Sequence, residues 1–496
     1  MLITCLVKYK KKIRFGEQKK NAIALDKKRE MPQAKEWVWV GALIIIGSGM
    51  QGYANSTFHA TIVAPILFVL GYGIIRFTCK NRSEELRVFM LSFAMCVFIG
   101  GAASCYSIEV FSSIHSTIDS HTFYGMISSA PPFTTIDDMP AFNAPLAVLI
   151  WQQVYKATWL LGFDFGLYVG LMFNALVIGV CGSMTVSIAR NVFGHDIGRL
   201  RRVGTIYVMC GIMWLFGAVL IRDCFTTMIN LIVLWAIVRW VVRSTLANMF
   251  IAVAITALST YAMYYLRIES IFLLVLYWFL GFMFWFHRGR FDIVRLFVVI
   301  IIPIVMLVLG GYFRTYVENA LKVRSIQAEG YASHSSASNR SDSLGMKLII
   351  NQPLPVRLIL GSGSLAINPI PLWANFRWGV SEYNILKGFH GLFQIILMPY
   401  VILSIYICGR MFILRRIEGM AMLYLAIFYI LNVAAVAVTS LETRHAGQFI
   451  SAFIILAAAP NMKEPTTRRL MRVAMVGWFS LVVLVHLLWI IMRGIG

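Results

Sequence analysis

Apolar runs separated by short polar or basic stretches repeat along the whole chain. They cover residues 37–53, 60–77, 88–106, 167–188, 203–221, 224–236, 246–266, 271–286, 296–311, 391–408, 421–439, 447–459 and 473–492. Runs near 20 residues match an α-helix crossing a hydrocarbon core of ~30 Å at ~1.5 Å per residue. One further run, 145–162, is interrupted by Gln152, Gln153 and Lys156. Counting it as a span would reverse the side of the basic stretch 190–202, so it reads as an amphipathic helix lying in the interface. The pattern predicts an all-α fold: a polytopic transmembrane helix bundle of about 13 spans (12–14), with an interfacial helix and a long outer loop.

Lysine and arginine fix the expected sidedness. Residues 1–36 are polar and strongly basic, contain no apolar core long enough for a signal peptide, and place the N-terminus in the cytoplasm. Arg82 and Arg87, then Arg190, Arg199, Arg201 and Arg202, then Arg410, Arg415 and Arg416, then Lys463, Arg468 and Arg469 mark cytoplasmic turns. Residues 37–311 form the first part of the bundle, with an outer loop at 107–166 that carries His115, Asp119, His121, Asp137 and Asp138. Residues 312–390 form a long extracytoplasmic loop with a serine-rich centre and prolines beside Trp373, Phe376 and Trp378. Those prolines forbid one continuous helix, and aromatic residues beside them suit the membrane interface. Residues 391–496 supply the C-terminal spans.

Composition agrees. The chain is 59% hydrophobic and 13% charged, against roughly 25% charged in soluble domains. A net charge of +22 resembles a nucleic-acid binder's, but the excess lies in short loops between apolar runs. Positive-inside loops facing anionic lipid account for it, and no nucleic-acid partner is expected. The eight cysteines lack C-x-x-C spacing and read as buried hydrophobes rather than a metal site or disulfide frame. Cys105 and Cys224 are a pair that could both reach the outer side.

With this topology, a few charges fall on the outer side and become the informative ones. Arg222-Asp223 ends one span, Arg267 with Glu269 ends another, and Glu442-Thr443-Arg444-His445 forms a tight turn between two more. Arg340 and Arg377 lie in the long loop on the same side. Each helix-end arginine has an acid within two positions, so local ion pairs or caps are one reading. A shared anionic ligand is the other, because arginine's planar fork makes two parallel hydrogen bonds to phosphate and keeps its proton. At a membrane face the simplest such anion is a lipid-linked phosphate. If that lipid carries a glycan, arginines would stabilise the departing phosphate. A base such as His445, Glu442 or the outer-loop Asp137 or Asp138 would take the acceptor's proton.

Three short blocks carry a resemblance. They are Arg190-Asn191-Val192-Phe193-Gly194 followed by the span ending Leu220-Ile221-Arg222-Asp223, the proline-tryptophan segment Ile367 to Trp373, and the turn Glu442 to His445. Together with the layout of residues 110–460 they resemble bacterial O-antigen and exopolysaccharide repeat-unit polymerases and related multi-span lipid-dependent glycosyltransferases. The resemblance implies a polyprenyl-diphosphate-linked glycan as substrate and polymer growth on the outer face of the inner membrane, with neither a cofactor nor an obligatory metal. It implies Arg222, Arg267 and Arg444 as phosphate ligands, and chain-length regulators and flippases as partners. Asp137-Asp138 before an interfacial helix is more similar to transferases that use a polyprenyl-monophosphate sugar, so the donor type stays open. A flippase or exporter of lipid-linked glycan is the alternative from another class.

Overall fold

The computed structural model describes residues 34–79, 83–114, 117–129, 144–267, 270–286, 349, 352–368, 370–413, 419–439 and 442–494. Among the described residues the chain is all helical, without strands. In chain order the α-helices are α1 (Ala34–Ala54), α2 (Ala60–Thr78), α3 (Ser83–Phe111), α4 (Ile118–Ser129), α5 (Pro145–Leu160), α6 (Leu167–Phe193), α7 (Ile197–Val208), α8 (Gly211–Ala218), α9 (Asp223–Val242), α10 (Leu246–Leu266), α11 (Ile271–Phe286), α12 (Leu354–Ile367), α13 (Glu382–Ile413), α14 (Met420–Thr439), α15 (Ile450–Ala458) and α16 (Pro465–Gly494). Two 3₁₀ turns, Leu372–Phe376 and Thr443–Gln448, precede α13 and α15.

Nine of these helices are long and apolar enough to cross a membrane: α1, α2, α3, α6, α9, α10, α13, α14 and α16. The expected spans at 203–221 and 447–459 are not single long helices, α11 over the expected span 271–286 has only 16 residues, and 296–311 lies outside the described residues. Helices α3, α6 and α9 are buried over most of their apolar length, whereas α2, α10 and above all α16 face outward.

The run 203–221 breaks at Met209–Cys210. Gly211 lies so close to α13 that a Cβ there would come within 2.5 Å of the His390 backbone nitrogen. The helix bends where side chains leave no room, and other groups cover the freed backbone. Trp214 Nε1 donates to the Val208 carbonyl (2.7 Å). After α8 the chain is extended, and Asn174 Nδ2 donates to the Val219 carbonyl (3.0 Å). Non-helical backbone inside a bundle is tolerated when its polar groups are met in this way.

Helix α5, the run expected to be interfacial, packs one face against α6. Trp151 Nε1 donates to Asn174 Oδ1 (2.9 Å), and the Tyr155 hydroxyl accepts from the Gly170 backbone N–H (3.2 Å). These pairings run in opposite sense along the two helices, so α5 packs antiparallel against the first half of α6. Its aromatic face is buried in the bundle, and the indole N–H finds its acceptor on a neighbouring helix.

The seven described cysteines are all free. Cys224 Sγ contacts Asn174 Oδ1 and Cys105 Sγ contacts the Met50 carbonyl, so these two do not bridge.

Charges separate to two ends of the bundle. At one end Arg190 makes a two-pronged pair with the buried Glu85 (2.7 and 2.8 Å). Arg87 pairs there with Glu36 (2.6 Å), and Arg202 donates to the Pro460 carbonyl (3.0 Å). Three of the basic stretches expected on the cytoplasmic side, around Arg87, Arg190–Arg202 and Pro460, thus gather at one end. The opposite end holds the candidate site.

Candidate functional site

Six elements converge at this opposite end. The extended segment after α8 delivers Arg222, and α9 opens with Asp223. Arg267 caps α10. Helix α4 brings Asp119, α13 brings Tyr383 and Lys387, and the 3₁₀ turn Thr443–Gln448, preceded by Glu442, brings Arg444 and His445. The turn is buried against its neighbours, with Thr443 2% and His445 6% exposed.

The helix-end arginines do not pair with their sequence neighbours alone. Arg267 donates to Asp223 (3.1 Å) and to His445 Nε2 (2.6 Å), both across elements. Arg444 donates to Asp119 (2.7 Å), 325 residues away. Glu442 pairs with Lys387 (2.7 Å) and accepts from the Tyr383 hydroxyl (3.4 Å). Arg222 donates to the Leu266 carbonyl (3.3 Å), which ties the extended segment to the end of α10. Asn368, the cap of α12, donates to Thr443 Oγ1 (3.0 Å) and fastens the turn from its other side.

The electrostatics follow from burial and crowding. Guanidinium has donors only, so His445 Nε2 must accept from Arg267, and a neutral imidazole carries its proton on Nδ1. Burial, with Arg267, Arg444 and Arg222 close by, holds the His445 pKa well below the ordinary histidine value. Burial opposes the charge on Glu442, but Lys387 and Arg444 outweigh it and hold its pKa below the usual carboxylate range. Burial also opposes the charge on Arg444, yet Asp223, Glu442 and Asp119 raise its pKa further. Among the described members of the cluster, four cations (Arg222, Arg267, Lys387 and Arg444) face three carboxylates (Asp119, Asp223 and Glu442).

Arg444 is the member with spare capacity. Its side chain is 21% exposed and its partner Asp119 49%, so that ion pair lies at the rim. Its Nε is buried without a hydrogen-bond acceptor. Buried donors are almost always satisfied, so an orphan in a cationic cluster marks a place where an acceptor belongs.

Of the residues singled out in the sequence, Arg222, Arg267, Glu442, Arg444 and His445 come together. Arg377 is exposed at the end of the first 3₁₀ turn. Asp137, Asp138 and Arg340 lie outside the described residues. Lys387, Tyr383 and Asp119 belong to the cluster but were not expected there. The long loop expected to reach residue 390 ends earlier, because α13 starts at Glu382. Lys387 had a legible signal: it is the one lysine or arginine between Arg377 and Arg410.

The fold and cluster define an all-helical polytopic bundle with a buried, net-cationic site at one end. Comparisons with protein-family models, with curated proteins and with solved structures find no match for this chain.

Proposed function

We propose that this chain is a membrane glycosyltransferase of the polysaccharide-polymerase kind. It binds the phosphate of a polyprenyl-linked glycan at the Arg222–Arg267–Arg444 cluster and joins glycan units there. The observation that carries this reading is Arg444, whose orphaned Nε stands among more cations than carboxylates. A phosphate oxygen would fill that vacancy with a charge-assisted bond and displace only the half-exposed Asp119. Arg267, locked between Asp223 and His445, supplies field rather than a free donor. The neutral His445 already spends its Nε2 lone pair on Arg267 and has none left with which to act as a base. On this reading the membrane is a bacterial inner membrane, the N-terminus is cytoplasmic, the cluster faces the outer side, and chain-length regulators and flippases are partners.

Two measurements test it. Deleting the gene should leave single glycan units on their lipid carrier, and Arg444→Ala should reproduce that state with the protein still in the membrane. Purified Arg444→Ala in vesicles should retain the carrier lipid at least 10-fold less than wild type, and Arg444→Lys should recover part of the loss because one charge remains without the fork. Polymer of normal length from Arg444→Ala would remove the cluster from the reaction.

An exporter of the same lipid-linked glycan is a second reading. It is favoured by His390 and Gln394, which lie one turn apart on α13, deeper in the bundle, with buried ring nitrogens and a buried amide oxygen that lack partners. In that case the deletion should trap glycan units on the cytoplasmic leaflet.

A further inference from the structure

Beside the cluster lies a recess enclosing about 220 Å³ of space, open solvent included. It is lined by Ser104, Ser120, Leu171, Val219 and Glu382, among others. It abuts the cluster at two places along the chain: Ser120 follows Asp119, and Glu382 precedes Tyr383. Glu382 is 4% exposed. No well-formed hydrogen bond reaches its carboxylate oxygens, and the polar groups beside them are the Ser107 hydroxyl and the backbone N–H of Glu382 itself. No lysine, arginine or histidine pairs with it among the described residues. A buried carboxylate without a cation is costly, and natural folds keep such groups where a ligand or a proton completes them.

The two orphans are complementary. Arg444 offers a buried donor without an acceptor, and Glu382 offers two buried acceptors without a donor. They do not meet each other. A molecule with an anionic phosphate and a nearby hydroxyl satisfies both, whereas a simple lipid phosphate satisfies one. The recess itself holds little more than one water-sized group, enough for a single hydroxyl, so the rest of an acceptor sugar would stay outside it.

We infer that this recess is the acceptor subsite and that Glu382 is the general base that activates the acceptor hydroxyl. This rests on the glycosyl-transfer reading above. In the step, the hydroxyl oxygen forms a bond to the anomeric carbon of the donor while its proton passes to the Glu382 carboxylate. The bond from the anomeric carbon to the phosphate oxygen breaks, and its electron pair leaves on the phosphate, where Arg444 stabilises it. The Glu382 carboxylic acid then returns its proton to water.

The experiment uses full-length protein in phosphatidylethanolamine–phosphatidylglycerol vesicles, supplied with the lipid-linked glycan extracted from cells deleted for the gene. Wild type should retain that lipid and join its units. Glu382→Gln should retain it within threefold of wild type and join units at least 100-fold more slowly, the usual effect of removing a general base. Glu382→Asp should regain part of the rate. Arg444→Ala should instead lose retention. Transfer by Glu382→Gln within threefold of wild type overturns the assignment of the base and leaves the Arg444 reading intact. Retention lost together with transfer in Glu382→Gln overturns the acceptor subsite as well. A wild type that neither retains nor joins the glycan brings down the glycosyl-transfer reading itself. A check independent of any variant is dicyclohexylcarbodiimide, which attacks carboxyls in apolar surroundings. It should modify Glu382 in the wild type, and the glycan lipid should slow that reaction at least threefold; equal rates with and without the lipid count against the subsite.

Discussion

His445 shows how one side chain reports on its surroundings. Its imidazole is 6% exposed, faces three arginines and accepts from Arg267. The folded chain therefore holds it neutral, whereas the unfolded chain protonates it near pH ~6.5. Between that value and its lowered folded pKa, unfolding takes up a proton, so stability falls as pH falls through this window, by up to ~1.4 kcal/mol per pH unit. Above pH ~6.5 the group contributes no pH dependence. His445→Gln keeps an acceptor within reach of Arg267 and removes the titration. Unfolding in detergent at pH 7 and pH 5 should show a smaller acid destabilisation for His445→Gln than for wild type, and equal losses would place the imidazole outside the arginine field. The residue itself was legible in the sequence as part of a charged turn. Its tautomer and engagement were not, because they depend on Arg267, which is 178 residues away.

At the level of elements, helix lengths followed from hydropathy and helix breaks did not. The run 203–221 is apolar enough to read as one span, yet it divides where Gly211 meets the α13 backbone. Gly211→Ala would set a Cβ 2.5 Å from the His390 nitrogen, and backbone cannot swing aside as a flexible side chain can. Overpacking of this kind destabilises by about 1–3 kcal/mol. It should also shift Arg222, which hangs from the segment that follows α8, and so weaken retention of lipid-linked glycan. Thermal unfolding and lipid retention measured together check this; a variant as stable as wild type would show that α8 and α13 have slack. The short α15 and its 3₁₀ turn are a similar case. Their residues are apolar enough for a span, but the chain there divides into a 3₁₀ turn, which buries Thr443 and His445, and a nine-residue helix. Helix α5 stands against α6 because Trp151 and Tyr155 find partners there, which amphipathicity alone does not disclose.

At the level of the whole molecule, the two charged ends are the feature from which sidedness can be tested. Arg377 and Lys463 are both exposed, one near the cluster end of the chain's path and the other in the basic turn after α15. A membrane-impermeant maleimide should label Arg377→Cys in intact spheroplasts. It should label Lys463→Cys only after permeabilisation, with native-cysteine labelling subtracted. Both positions labelled from the same side would undo the assignment of the cluster to the outer face. The cluster itself is an assembly property: Asp119, Asp223, Arg267, Lys387 and Arg444 are scattered over 326 positions of sequence, and the bundle closes them into ion pairs. Most of the side chains in it meet partners from other helices, so a mutation in any one helix that tilts its neighbours disturbs the site.

By itself the sequence determined that the chain is helical and built for a membrane, because backbone polar groups in a hydrocarbon core must be satisfied within the helix and the side chains around it must be apolar. It also determined that a small set of charged helix ends stands apart from the basic turns, since the cost of placing charge at membrane depth restricts where such residues occur. Only the tertiary structure decided which carboxylate meets which arginine, where helices break, and that the Arg444 Nε and both Glu382 carboxylate oxygens are left without a well-formed hydrogen bond. Those outcomes depend on distances between residues far apart in the chain, set by how whole helices pack, and no local pattern of residues encodes them.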